Sequence, residues 1–99
     1  MLKKDFYIDI HPGEVLAGIL EDAELSQSEL ARAIGSSRKV ISEICNRKRG
    51  ISAEMAFRLG KALKQTPDFW MNAQKNWELS QVDQRITKKV QKIVGKEAA

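Results

Sequence analysis

Apolar residues recur at three- and four-residue intervals over most of this chain, and that spacing constrains the fold more than any composition value. It places one apolar stripe along each of several helices and offers strands almost no half-buried face. Only "FYIDI", Phe6 to Ile10, alternates in the manner of a strand. The expected fold class is therefore all-α.

Start and stop signals divide the pattern. A first helix is expected from Pro12, a residue suited to the first helical position, to near Ala23, with Val15, Leu16, Ile19 and Leu20 on one face. "SQSE" opens the second: Ser26 and Glu29 can form a capping box, Leu30, Ala31 and Ile34 face inward, and Gly35 ends the helix. The third is expected from Ser37, a good N-cap, to about Asn46. The next begins after Ser52 with Met55, Ala56, Leu59 and Leu63 inward, and Thr66 with Pro67 restarts the chain in a fifth. Beyond Trp77, Leu79, Val82, Ile86, Val90 and Ile93 keep helical spacing among Lys88, Lys89, Lys92 and Lys96. A helical extension fraying toward Ala99 is expected. Residues 1–10 read as an N-terminal arm, 11–82 as the domain and 83–99 as the extension.

With 99 residues, 42% of them hydrophobic, the chain supports one core and not two ordinary domains. The net charge of +4 and pI near 9.4 favour phosphate-bearing partners without requiring them. One cysteine, Cys45, excludes an internal disulfide framework, and one histidine, His11, leaves too few soft ligands for zinc, so neither a metal nor a cofactor is expected. A reducing, cytoplasmic setting fits. No apolar run approaches the length of a bilayer span, and the start of the chain does not read as a signal peptide, so no membrane partner is expected.

Two short helices joined at Gly35 and Ser36 can hold the second of them out for insertion into a DNA groove. Ala31 allows close crossing, Gly35 can take a positive φ, and Ile41 and Ile44 anchor the third helix in the core. At about 100° per residue, Ile44 and Cys45 fall on the Ile41 side, while Lys39, Ser42, Glu43 and Asn46 lie opposite and Arg38 flanks them. Arg or Lys can donate to guanine, Glu can accept from cytosine, and Ser can do either. Gln27, Asn46, Arg47, Lys48 and Arg49 are candidate phosphate contacts that would position rather than specify. A solvated basic amphipathic helix would show the same face. Val40 lies on the border and can pack inward or touch a thymine methyl.

The stretch "QSELARAIGSSRKVISEICN", Gln27 to Asn46, closely resembles the helix-turn-helix of the phage-repressor-like (Xre/Cro) family, with Ser36 standing where that family often has an apolar residue. "HPGEVL", "CNRKRGIS" and "TPDFWMNAQKNWEL" look more narrowly like the HigA-type (VapI-like) antitoxins. The resemblance implies a five-helix, lambda-repressor-like DNA-binding domain. It further implies a homodimer that binds a palindromic operator in its own promoter and neutralises a HigB-type, RelE-like mRNA interferase toxin. By position in the motif, Gln27 would touch phosphate, while Ser37, Arg38, Lys39, Ser42 and Glu43 would face the major groove. A stand-alone phage-type repressor and a protein-interaction adaptor without DNA binding are the alternatives.

Nothing forms a catalytic constellation, and no enzyme is expected. His11 reads as a helix-entry residue, Cys45 as a small half-buried one, and Asp68, Glu78 and Asp83 as helix-start and surface acids. Phe69, Trp70 and Trp77 can fill the core or line a partner surface, and the indole N–H groups should find acceptors.

Overall fold

Each helix begins where a side chain satisfies the amide groups left free by the first turn. In the computed structural model, which describes residues 7–95, α1 (Pro12–Ala23) starts at His11, whose Nδ1 accepts from the Gly13 amide at 2.8 Å. The helix-entry reading of His11 holds. α2 (Gln27–Ile34) opens with the expected capping box: Ser26 Oγ accepts from the Glu29 amide at 3.0 Å, and the Glu29 carboxylate accepts from the Ser26 amide at 2.8 Å. Those bonds hold the exposed Glu29 carboxyl below its ordinary range. Ser37, Ser52 and Thr66 cap α3 (Arg38–Cys45), α4 (Ala53–Leu63) and α5 (Pro67–Ser80).

The apolar stripes converge as their spacing requires. Leu16, Leu20, Leu30, Ala31, Ile34, Ile41, Ile44, Ile51, Ala56, Leu59 and Trp70 form one buried cluster, with Val15, Ile19, Val40, Met55 and Leu63 packed at its margin. α1 crosses α3 so closely that a Cβ at Gly13 would overlap the Ile44 carbonyl oxygen. That contact fixes the back of α3, and the polar face is left outward.

Two polar ties complete the frame. Gln74 on α5 is buried and accepts from the Ile51 amide at 2.7 Å, while its Nε2 donates to Glu78 at 2.7 Å. The loop after α3 is thereby fastened to α5. Arg58 on α4 donates to the Ile34 carbonyl at 2.6 Å and the Gly35 carbonyl at 3.3 Å, closing the end of α2.

The aromatic expectations divide. Trp70 is fully buried and donates to Gln65 at 3.0 Å, but Phe69 is exposed. Trp77 makes a T-shaped contact with His11 at 4.7 Å, and its buried indole N–H has no acceptor among the described residues, against expectation.

Past α5 the 3.6-residue spacing does not continue as α-helix. A 3-10 helix, η1 (Gln84–Lys89), is capped by Asp83, and the chain runs on without regular structure to residue 93. All of residues 81–95 are exposed. With no packed face, a segment this short cannot stabilise an α-helix by itself. No strand forms at residues 7–10, and Phe6, the rest of residues 1–6 and Lys96 lie outside the described residues.

Candidate nucleic-acid interface

The turn between α2 and α3 needs a left-handed residue, and Gly35 supplies it at φ +71°. The Ser36 amide donates to the Ala31 carbonyl at 2.8 Å, so the chain reverses within two residues. Ser37 then caps α3 through the Val40 amide at 3.2 Å. α3 consequently lies on the core through Ile41 and Ile44, both wholly buried, and Val40 packs inward beside them.

Opposite that seat, Arg38 and Lys39 are exposed and Ser42 and Glu43 half-buried, as the wheel places them. Arg38, Lys39 and Lys48 make no ion pair among the described residues. Ser42 Oγ accepts from Asn46 Nδ2 at 3.2 Å, which joins a candidate base reader to a candidate phosphate contact. Ser37 Oγ is engaged in capping. Gln27 is half-buried at the first position of α2.

The run Arg47–Lys48–Arg49 is not a uniform cationic patch. Arg49 donates through Nε and Nη2 to one Glu43 oxygen, at 2.9 and 2.7 Å. These bonds hold the Glu43 carboxyl below its ordinary range, and the nearby Lys39 and Lys48 act in the same direction. Arg47 is left-handed at φ +65° and turns back toward the first helix: Nη1 donates to Glu14 at 2.8 Å, and Nη2 pairs with Asp9 at 3.9 Å. Asp9 also accepts from Gln81 at 2.9 Å. Two of the five cations in this region therefore have acidic partners in the chain.

Asp9, Glu14, Arg58, Gln74 and Gln81 are the supporting residues that helical spacing did not single out. Glu14 carried a signal, standing three residues after a capping position. The others act across 23 to 72 residues of sequence, where no local pattern reaches.

Among the described residues no cluster of His, Cys, Asp and Glu could hold a metal ion, and no helix is long and apolar enough to cross a membrane. Burial pushes the Cys45 thiol up, away from thiolate chemistry.

A helix-turn-helix family model matches residues 16–70. Virulence-associated protein A′ of Dichelobacter nodosus is 41% identical over 81 residues, covering 81% of this chain and 70% of that protein. The Pseudomonas aeruginosa antitoxin HigA, solved with the higBA promoter, superposes with a TM-score of 0.81 at 34% identity, covering 88% of this chain and 100% of that one. An addiction-module antidote protein of the HigA family from Coxiella burnetii gives 0.79 at 32% identity, covering 86% and 98%.

Proposed function

The chain belongs to the Xre-like helix-turn-helix family, and we propose that it is the antitoxin and autorepressor of a toxin–antitoxin operon. It binds a palindromic operator in its own promoter as a homodimer, with α3 of each copy in the major groove. The observation that carries this reading is the outward polar face of α3, held by Gly35, Ser37 and the buried Ile41 and Ile44. The promoter complex of the HigA relative supports it.

In this reading Arg38, Lys39, Ser42 and Glu43 face base edges, with Ser37 at the groove-side end of α3. Gln27, Asn46, Arg47, Lys48 and Arg49 serve the backbone, and residues 11–82 form the DNA-binding unit. The partner is a HigB-type, RelE-like toxin, and the complex acts in the cytoplasm. Its support is likeness to antitoxins of the HigA family.

Footprinting on the chain's own promoter should protect two half-sites about 34 Å apart, one helical turn. Absence of protection at low salt would remove the DNA part of the proposal. Co-purification with the product of the adjacent gene tests the toxin part separately.

A further inference from the structure

The positive charge of this chain is concentrated where no part of the body covers it. Residues 84–95 hold four basic side chains, Arg85, Lys88, Lys89 and Lys92, and no acid, so their +4 equals the net charge of the whole chain. All other residues together carry thirteen basic and thirteen acidic side chains, which cancel. The helix-turn-helix body is nearly neutral by itself. Residues 11–82 have ten basic side chains against nine acidic ones, and Arg47, Arg49 and Arg58 already sit on carboxylates. A protein draws its sequence-independent affinity for a duplex from cations that displace counterions from phosphate. Here the body supplies few.

Resting on the operator binding proposed above, we infer that Lys88, Lys89 and Lys92 form a second duplex contact, a sequence-independent grip on phosphates outside the stretch that α3 faces. The first argument is availability. Arg85 is held by Asp83 at 2.9 Å, whereas the three lysines have no acidic partner among the described residues. Ile86 and Val90, their neighbours in the arm, offer no acceptor and are themselves exposed. Four residues separate Lys88 from Lys92, a span of at most about 13 Å. Duplex DNA presents one negative charge per about 1.7 Å of its axis, so three cations over that span meet phosphates without any base-specific register.

The second argument is position. The arm leaves the body beside the run that serves the DNA backbone in the proposed complex: Gln81 bonds Asp9, and Asp9 pairs with Arg47 two residues beyond α3. It then projects. Residues 81–95 are all exposed, and the molecule is 57 Å long against 21 and 20 Å across. Its radius of gyration is 17.4 Å, where a compact chain of this length would have about 13 Å. A cationic arm that starts at the phosphate-facing edge and reaches away from the body meets duplex beyond the bases under α3. An acidic protein surface would match the same charge, but nothing in the placement of the arm favours one.

Anisotropy titrations of the full chain supply the test, with the chain's own promoter and a scrambled duplex of equal length over about 50–400 mM salt. The variant Lys88→Gln/Lys89→Gln/Lys92→Gln should lower the slope of log affinity against log salt by about 0.9 for each lysine engaged, up to about 2.7 for three. With affinities converging near 1 M salt, that is about 8-fold weaker binding per engaged lysine at about 0.1 M, alike on both duplexes. Its circular dichroism and thermal midpoint should match the wild type, all three side chains being exposed. Lys88→Arg/Lys89→Arg/Lys92→Arg should keep the wild-type slope, because the charge is retained. Lys61→Gln/Lys64→Gln/Lys75→Gln removes equal charge from exposed positions on the body and should change the slope by less than one contact, about 0.9.

A wild-type slope in the arm variant, a loss confined to the promoter duplex, or an equal loss in the body variant overturns this inference and leaves operator binding standing. A wild-type slope together with lost co-purification of the adjacent gene's product also overturns it, and assigns the lysines to a protein partner. A wild type with no salt-dependent binding to either duplex removes the operator reading and this contact together.

Discussion

In the proposed reading Glu43 faces bases and Arg49 serves phosphate, yet the two are bonded to each other in the free protein. A phosphate at Arg49 competes with that carboxylate for the Nε and Nη2 edge of the guanidinium. Glu43→Gln keeps the shape of the side chain and removes the charge, taking the net charge from +4 to +5 by the loss of one acid. Each phosphate contact contributes about 0.9 to the slope of log affinity against log salt. Over a four-fold change, 50 to 200 mM, one added full contact is therefore about 3.5-fold in affinity. Glu43→Gln should bind random duplex a few-fold more tightly at low salt, with a slope steeper by up to about 0.9.

The same change should reduce preference for the operator, because an amide no longer offers cytosine a charged acceptor. Anisotropy titrations with promoter and scrambled duplexes separate the two effects. Arg49→Ala completes a double-mutant cycle: its effect on the slope should be larger in the Glu43→Gln background than in the wild type. Equal effects of Arg49→Ala in both backgrounds, with the Glu43→Gln slope unchanged, would refute the coupling. Arg38→Ala serves as the control, since Arg38 has no acidic partner among the described residues to release.

Three further outcomes follow from the frame beneath α3. Gly13→Ala should destabilise the protein by about 2–4 kcal/mol in denaturant titration, because the new methyl meets the Ile44 carbonyl and α1 and α3 must part. Gln74→Leu should cost about 1–3 kcal/mol by leaving the Ile51 amide buried without an acceptor; a midpoint equal to wild type would contradict that tie. His11 has its ring held below its ordinary range by burial first and by Arg47 second, with Glu14 opposing. The unfolded chain therefore takes up a proton here before the folded chain does, and stability should decline as pH falls below about 6.5, then level once the folded ring protonates. His11→Asn, which retains a capping acceptor, should flatten that part of thermal midpoint against pH.

The helix ends and the inward faces were legible because their causes are local. Ser26 with Glu29, Ser37, Thr66 with Pro67, and Gly35 each act within four residues, and the structure uses them as the pattern implies. The extension beyond Ser80 was less legible for the complementary reason. Val82, Ile86, Val90 and Ile93 have helical spacing, but spacing only creates a face, and an α-helix there needs something to cover it. The described residues do not supply that cover, and a 3-10 turn with exposed side chains results.

Charge was the hardest quantity to assign, and the reason bears on how this surface would work. A wheel separates outward from inward positions, so Arg38, Lys39, Ser42 and Glu43 could be placed on one face of α3. Past the helix end a wheel has no meaning. There the left-handed turn at Arg47 sends its guanidinium to Asp9 and Glu14, while Arg49 returns to Glu43. Arg38, Lys39 and Lys48, without acidic partners among the described residues, can meet phosphate or base edges directly, whereas at Arg47 and Arg49 a phosphate competes with carboxylates. Initial electrostatic encounter at this face should therefore depend chiefly on the first three, and Arg49 should engage only where the duplex gives Glu43 a compensating donor. In the proposed reading, a surface divided in this way would couple part of its phosphate affinity to what α3 finds in the groove.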